Sequence, residues 1–251
     1  MKDAQRSDLG FALMTAVIII AAHAIAYLSH EFSHSFTAWA LGYMPHPLAL
    51  DYGELTPANA VLLLNVGDNV QYDRISSGGS GLAVATIALA GAFVGNGVLY
   101  FCVNMAAKRL RPDAVITGSM AYWLMMMCAG NIWSYIPIRA ITTHADIAIA
   151  AGGLGVSVWT LFPILLVPSL LFVGHFFVRT CPWLILLIAQ EKPGRIVTIV
   201  ALTVTWFFMF FGSAGLFGSY GDVSQAFSVA SAAILMPLAV AWLWKRCSGT
   251  I

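Results

Sequence analysis

Long apolar runs broken by short polar intervals set the pattern of this chain. Six runs are long enough to cross a bilayer as helices, which takes about 20 residues each. They cover approximately 11–42, 82–107, 114–136, 154–178, 196–217 and 224–244. The first passes through Met14–Ile20 and Ala26 and is expected to end near Gly42-Tyr43, with Pro45 and Pro47 as stops. At about 32 residues it would be roughly 48 Å long, more than the roughly 30 Å hydrocarbon core, so it must tilt, kink or protrude. The second run carries Gly91, Gly95 and Gly97 at its centre, small residues that let helices approach closely. The third holds Met125-Met126-Met127, a core-filling triplet, and reaches Pro137, where the helix should break.

The polar interval at 44–81 reads differently. Ala60–Val66 is strand-like, Gly67-Asp68-Asn69 has turn chemistry, and Val70–Tyr72 could return as a second strand. A short β-hairpin is therefore possible here. It must lie outside the bilayer or in a protein-lined cavity, because lipid cannot satisfy an exposed backbone. Ser76-Ser77-Gly78-Gly79-Ser80-Gly81 reads as a flexible connector without phosphate-loop spacing, so no nucleotide is expected. The pattern predicts an all-α polytopic membrane protein, one transmembrane domain over 1–251. A core at 11–150 would be followed by C-terminal helices at 154–245.

Composition agrees with this pattern. Hydrophobic residues make up 60% of the 251 and charged residues 9%, with a mean hydropathy of +0.84. Soluble chains average about 25% charged residues. A net charge of +1 gives no electrostatic reason to expect nucleic acid as a partner. The first run is expected to be a retained helix, since no small-residue cleavage site precedes it. Cys102, Cys128, Cys181 and Cys247 are scattered, form no C-x-x-C, and read as buried thiols.

One stretch inside the first run carries chemistry. His30-Glu31-Phe32-Ser33-His34 is an H-E-x-x-H motif. On a helix, His30 and His34 project from one face a turn apart and can share a zinc ion. Glu31 lies on the adjoining flank, where it can take a proton from water activated at the metal. With six His and three Glu in the chain, the motif arises by chance roughly two times in a thousand. Three ionisable residues within five positions of a membrane helix are costly, roughly 2.5 kcal/mol or more each, and a metal offsets that cost. His23 falls on the same face but about 10 Å along the axis from His30, too far to bind the same ion. It reads as a polar lining residue or a satisfied core histidine. A catalytic zinc takes three protein ligands and leaves one position open. Asp146, His144, Asp51 and Glu54 are the candidates for the third, with Asp146 favoured. Asp146 and His144 lie where a helix has just broken, so their loop could fold back to the metal. The alternative role for Asp146 is to cap the next helix, which begins at Ile147.

These residues carry a resemblance. His30-Glu31-Phe32-Ser33-His34-Ser35-Phe36-Thr37-Ala38, followed by Leu41-Gly42, resembles the active-site helix of the site-2 protease family of intramembrane zinc metalloproteases. Ala90-Gly91-Ala92-Phe93-Val94-Gly95-Asn96 is similar to that family's Gly-rich second core helix. Asn131…Ile136-Pro137…Asp146 resembles its third core element, in which an Asn and a Pro precede a ligand Asp. The likeness covers residues 11–150, a three-helix core. It departs from the family at Asp146, which lies nine residues after Pro137 and precedes Ile147. The family places its Asp about five residues after the Pro and follows it with Gly, so His144 stays open beside Asp146. The resemblance implies one Zn2+ per chain, His30, His34 and Asp146 as ligands, and Glu31 as catalytic base. Asn131 would bind the substrate backbone or support the oxyanion. The reaction would be hydrolysis of a peptide bond in or near a transmembrane segment of a membrane-protein substrate.

Basic residues at Lys2 and Arg6, at Lys108-Arg109-Arg111, at Arg179, Lys192 and Arg195, and at Lys245-Arg246 fall on one side of a six-span arrangement. The positive-inside rule puts that side, with both termini, in the cytoplasm of a prokaryotic inner or plasma membrane. The 44–81 and 139–153 segments, and the candidate zinc, then lie toward the outside. The family arrangement implies the reverse. Two other functions fit the same residues: an inactive relative that scaffolds membrane helices, or a membrane protein that binds or transports metal.

Overall fold

The computed structural model describes residues 2–217 and 219–248. The described residues form an all-α protein with no sheet. Six helical stretches are long and apolar enough to span a membrane: Leu9–Ala40, Gly81–Ala107, Val115–Ile138, Val158–Ala189, Pro193–Leu216 and Asp222–Cys247. The chain is a multi-pass membrane protein.

Helix α1 runs unbroken over Lys2–Ala40. It ends where Gly42 turns left-handed at φ +82°. Gly42 N–H donates to Trp39 O at 2.9 Å and Tyr43 N–H to Ala38 O at 2.8 Å, so glycine chemistry stops the helix before either proline. The second span joins α4 (Gly81–Ala90) to α5 (Leu99–Ala107) through a π-helical segment, Gly91–Val98. The third is α6 (Val115–Trp133), which leaves through a π turn, Ser134–Ile138, that contains Pro137. Helix α6 is the hub and packs against α1, α5, the Gly91–Val98 segment and Cys181–Ala189 of the fourth span. Trp123 and Met125 to Met127 on it are fully buried. Outward residues of the outer spans, such as Val17 at 67% and Leu171 at 71% exposed, present the apolar surface that lipid requires.

The hairpin expected at 44–81 does not form. Thr56 Oγ1 caps helix α2 (Pro57–Leu62) by accepting from Asn59 N–H, and Pro57 opens its first turn. Tyr72–Ser77 is helix α3, which takes in Ser76 and Ser77 of the expected connector, and only Gly78 to Ser80 separate it from α4. Among the described residues, one isolated bridge, Asp51 with Gly67, is all that remains of strand pairing. The apolar run at 60–66 was a misleading signal because capping chemistry just before it outweighs its β propensity.

The fourth span also differs from expectation. Leu154 ends a separate helix, α7 (Asp146–Leu154), and Gly155 takes a left-handed cap at φ +66°. Ser157 then caps α8 (Val158–His175), which continues through the π segment Phe176–Thr180 into α9 (Cys181–Ala189). Pro182 does not end the span: the helix passes through the π segment just before it and continues to Ala189. The last two spans are α10 (Pro193–Val204) with its π extension Thr205–Phe211, and α11 (Asp222–Ala230) leading into α12 (Met236–Ser248).

Candidate metal centre

Three elements meet at one buried point. Helix α1 contributes His30 and His34, each 1% exposed, and Glu31 at 6%. Helix α7 contributes Asp146 from its first residue. The Gly91–Val98 segment forms the floor. The ligand atoms of His30, His34 and Asp146 all lie within 4.8 Å of one another. His30 Nε2 is 3.1 Å and His34 Nε2 is 3.5 Å from Asp146 Oδ2. Two donors bound to one zinc at roughly 2.0–2.1 Å sit about 3.4 Å apart at the tetrahedral angle, so these separations suit that ion.

The imidazoles are held from behind. His34 Nδ1 donates to Ile87 O at 2.7 Å. His30 Nδ1 meets Asn96 Nδ2 at 2.9 Å, and Asn131 Nδ2 donates to Asn96 Oδ1 at 3.2 Å. Both Nε2 atoms are thereby turned toward Asp146. Tyr135 stacks on His30 with ring centroids 4.1 Å apart. Glycine is required at the floor. A Cβ on Gly91 would collide with His34 Nε2 and lie 2.5 Å from His30 Nε2. At Gly95 it would lie 2.8 Å from the His30 Cα. The space beside the two ring nitrogens exists because these side chains are absent. A two-imidazole, one-carboxylate donor set with that space fits a zinc or similar divalent ion.

Asp146 is delivered by close packing. Helix α7 lies on α4 so tightly that a Cβ on Gly81 would collide with Gly153 O. Just before α7, Ala145 adopts φ +76°, ψ 171°, a conformation that only glycine takes freely and that costs of order 1–3 kcal/mol. The kink lets the chain start a helix with Asp146 facing the histidines. Burial alone would raise the Asp146 carboxyl, but the His34 charge and the hydrogen bonds from both histidines hold it well below the usual carboxylate range. It is an anion, as a metal ligand must be. The residues between Pro137 and Asp146 form the loop that ends in this kink.

The other ligand candidates stand apart. His144 stacks on Tyr220, 4.7 Å between centroids, outside the cluster. Asp51 pairs with Gly67 through its backbone, and Asp51 and Glu54 are exposed. Asn131 is 3% exposed and reaches His30 only through Asn96. His23 is 2% exposed; its Nε2 donates to Leu62 O at 2.9 Å. Three nearby residues had no role assigned from sequence. Asn96 bonds the back of His30. Asp68 places Oδ2 4.0 Å from His34 Nδ1, accepts from Tyr72 O–H at 2.5 Å, and accepts from Ser35 O–H through its backbone at 2.7 Å. Burial, then the Asp68 charge, push the Tyr72 phenol far up, so it remains a donor. Arg139 lies against Tyr135, 4.1 Å from its centroid. Asn96 was the most legible of the three, since a buried amide inside a Gly-rich apolar span needs a partner.

No protein-family model matches this chain, and neither curated proteins nor solved structures yield a match.

Proposed function

We propose that this chain is an intramembrane zinc metalloprotease that hydrolyses a peptide bond in or near a transmembrane segment of a membrane-protein substrate. The observation that carries the reading is the meeting of His30, His34 and Asp146 within 4.8 Å, beside a buried Glu31, in a six-span membrane protein. The H-E-x-x-H spacing and the likeness to the site-2 protease family support it from the sequence side.

His30, His34 and Asp146 would hold the ion. When bound, zinc supplies Lewis-acid polarisation of the scissile carbonyl and acidifies water. The chain's residues do the rest. Glu31, one residue from His30, accepts the proton of the attacking water as its oxygen bonds to the carbonyl carbon. It then gives that proton to the amide nitrogen as the C–N bond breaks. Asn96 and Ile87 O keep the imidazoles oriented. A helical substrate hides its amides in hydrogen bonds and must unwind locally before attack, so substrates with a helix-destabilised stretch are expected.

Zinc content per chain tests this directly. Wild type should carry one zinc, Asp146→Ala should lose it, and His144→Ala should keep it. Glu31→Gln should keep zinc while cleavage falls by about 1000-fold or more. A wild-type protein without zinc, purified under conditions that do not strip metal, overturns the proposal. Full cleavage by Glu31→Gln removes Glu31 as the base.

A further inference from the structure

A cavity of about 700 Å³ opens beside the His30–His34–Asp146 cluster. Asn131 and Tyr135 line it, the latter stacked on His30. Two other groups in its wall have chemistry left to satisfy. His23 donates through Nε2 to Leu62 O, which leaves Nδ1 as an acceptor, and that buried Nδ1 has no partner. Arg139 donates through Nε to Ser134 O and through Nη1 to Tyr220 O–H, both at 3.2 Å. Its guanidinium lies against Tyr135 and Tyr220. Among the described residues no carboxylate lies within 4 Å of it, and Nη2 makes no hydrogen bond. Arg stays charged at any physiological pH. Arg139 is half-buried, the Asp146 and Glu31 carboxyls act on it only from beyond 4 Å, and its planar fork, which matches a carboxylate, has no direct carboxylate partner among the described residues. Phe210 and Phe211 supply an apolar wall.

We infer that this cavity binds a carboxylate-bearing peptide segment. The carboxylate engages Arg139, a backbone N–H of the segment donates to His23 Nδ1, and an apolar side chain rests on Phe210 and Phe211. A segment with a donor, an anion and an apolar group is what these three walls complement. That the segment is a substrate rests on the protease reading. The carboxylate is either a chain terminus or an Asp or Glu side chain.

The experiment is calorimetric titration of the Glu31→Gln protein in non-ionic detergent, so that binding is read without turnover. Three probes are compared: an acetylated apolar tripeptide with a free C-terminal carboxylate, the same peptide as its amide, and the amide with Asp in the middle position. A carboxylate form should bind about tenfold tighter than the plain amide, and whichever carboxylate form gains identifies the source. Arg139→Gln should erase the preference and Arg139→Lys should retain part of it. His23→Phe should weaken all forms alike. Equal binding of all three probes to Arg139-containing protein overturns the inference and needs no variant that must fold. A preference that survives Arg139→Gln overturns it too. The two readings fail separately. Carboxylate preference in a protein that holds no zinc and cleaves nothing leaves the cavity assigned and the protease reading wrong. Zinc-dependent cleavage with no preference does the opposite.

Discussion

At the residue scale, the placement of protons around His30 decides whether the cluster can take a metal. With Asn96 Nδ2 donating to His30 Nδ1, the imidazole carries its proton on Nε2 and gives it to Asp146 Oδ2 at 3.1 Å. A metal on Nε2 requires the other tautomer, in which Nδ1 donates and Asn96 must present Oδ1. Asn131, which donates to Asn96 Oδ1, then has to turn its own amide as well. Loading is therefore coupled to two buried amides. Substitutions in such outer-shell partners cost roughly 10–100-fold in metal affinity. Asn96→Leu should weaken zinc binding by that order in a chelator-competition titration. Asn96→Asp should bind as tightly as wild type or tighter, because a carboxylate accepts from Nδ1–H in the required sense. If Asn96→Leu holds zinc as wild type does, the coupling is wrong.

At the scale of elements, what carries the site is the absence of side chains on the Gly91–Val98 segment. Gly91→Ala places a methyl group against both Nε2 atoms and should abolish zinc binding while the six spans still assemble, read as zinc content beside an unchanged helical circular-dichroism spectrum. Retention of zinc would show that α1 and the segment separate easily. The sequence made the span count legible, because length and hydropathy survive any packing. His30 and His34 are legible as chemistry at recognisable spacing; Asp146 is one of four candidates with an irregular spacing after Pro137, and the fold brings it to the histidines. Gly91 and Gly95 were read from spacing as packing residues, and that is true; what spacing did not show is that the partner they pack against is the histidine pair. Arg139 and Tyr135 belong to no motif: Tyr135 gains its role by stacking on His30, and Arg139 by lying against Tyr135 at the end of the π turn Ser134–Ile138. The false hairpin at 60–66 came from weighing β propensity above the Thr56-Pro57 cap.

For the whole molecule, the placement of charge decides which side of the membrane the site faces. The loops at 108–114 and 190–192 share one edge, since Gln190 Nε2 donates to Pro112 O at 2.9 Å. That edge holds Lys108, Arg109, Arg111, Lys192 and Arg195. The opposite edge carries the loop from 41 to 80 and the helix α7 that delivers Asp146, and its acidic residues Asp51, Glu54, Asp68 and Asp73 outnumber Arg74 and Arg139. Cytoplasmic loops collect Lys and Arg, so the basic edge should face the cytoplasm and the metal cluster should lie toward the other side. Cysteine labelling in intact cells checks this in a Cys102→Ser background, the other cysteines being buried. Leu55→Cys, at a position 93% exposed, should react with an impermeant maleimide at once. Arg109→Cys should react only after permeabilisation. The reverse result would place the cluster toward the cytosol, as the family resemblance implies. The outcome also fixes what the site can cut. Glu31 lies nine residues before the end of the first span at Ala40 and Asp146 lies in the connection after the third span, so the proposed protease reaches peptide bonds in that half of a substrate helix. Under the charge-based orientation, the proposed cleavage would fall toward the outer face of the membrane and free an outward fragment.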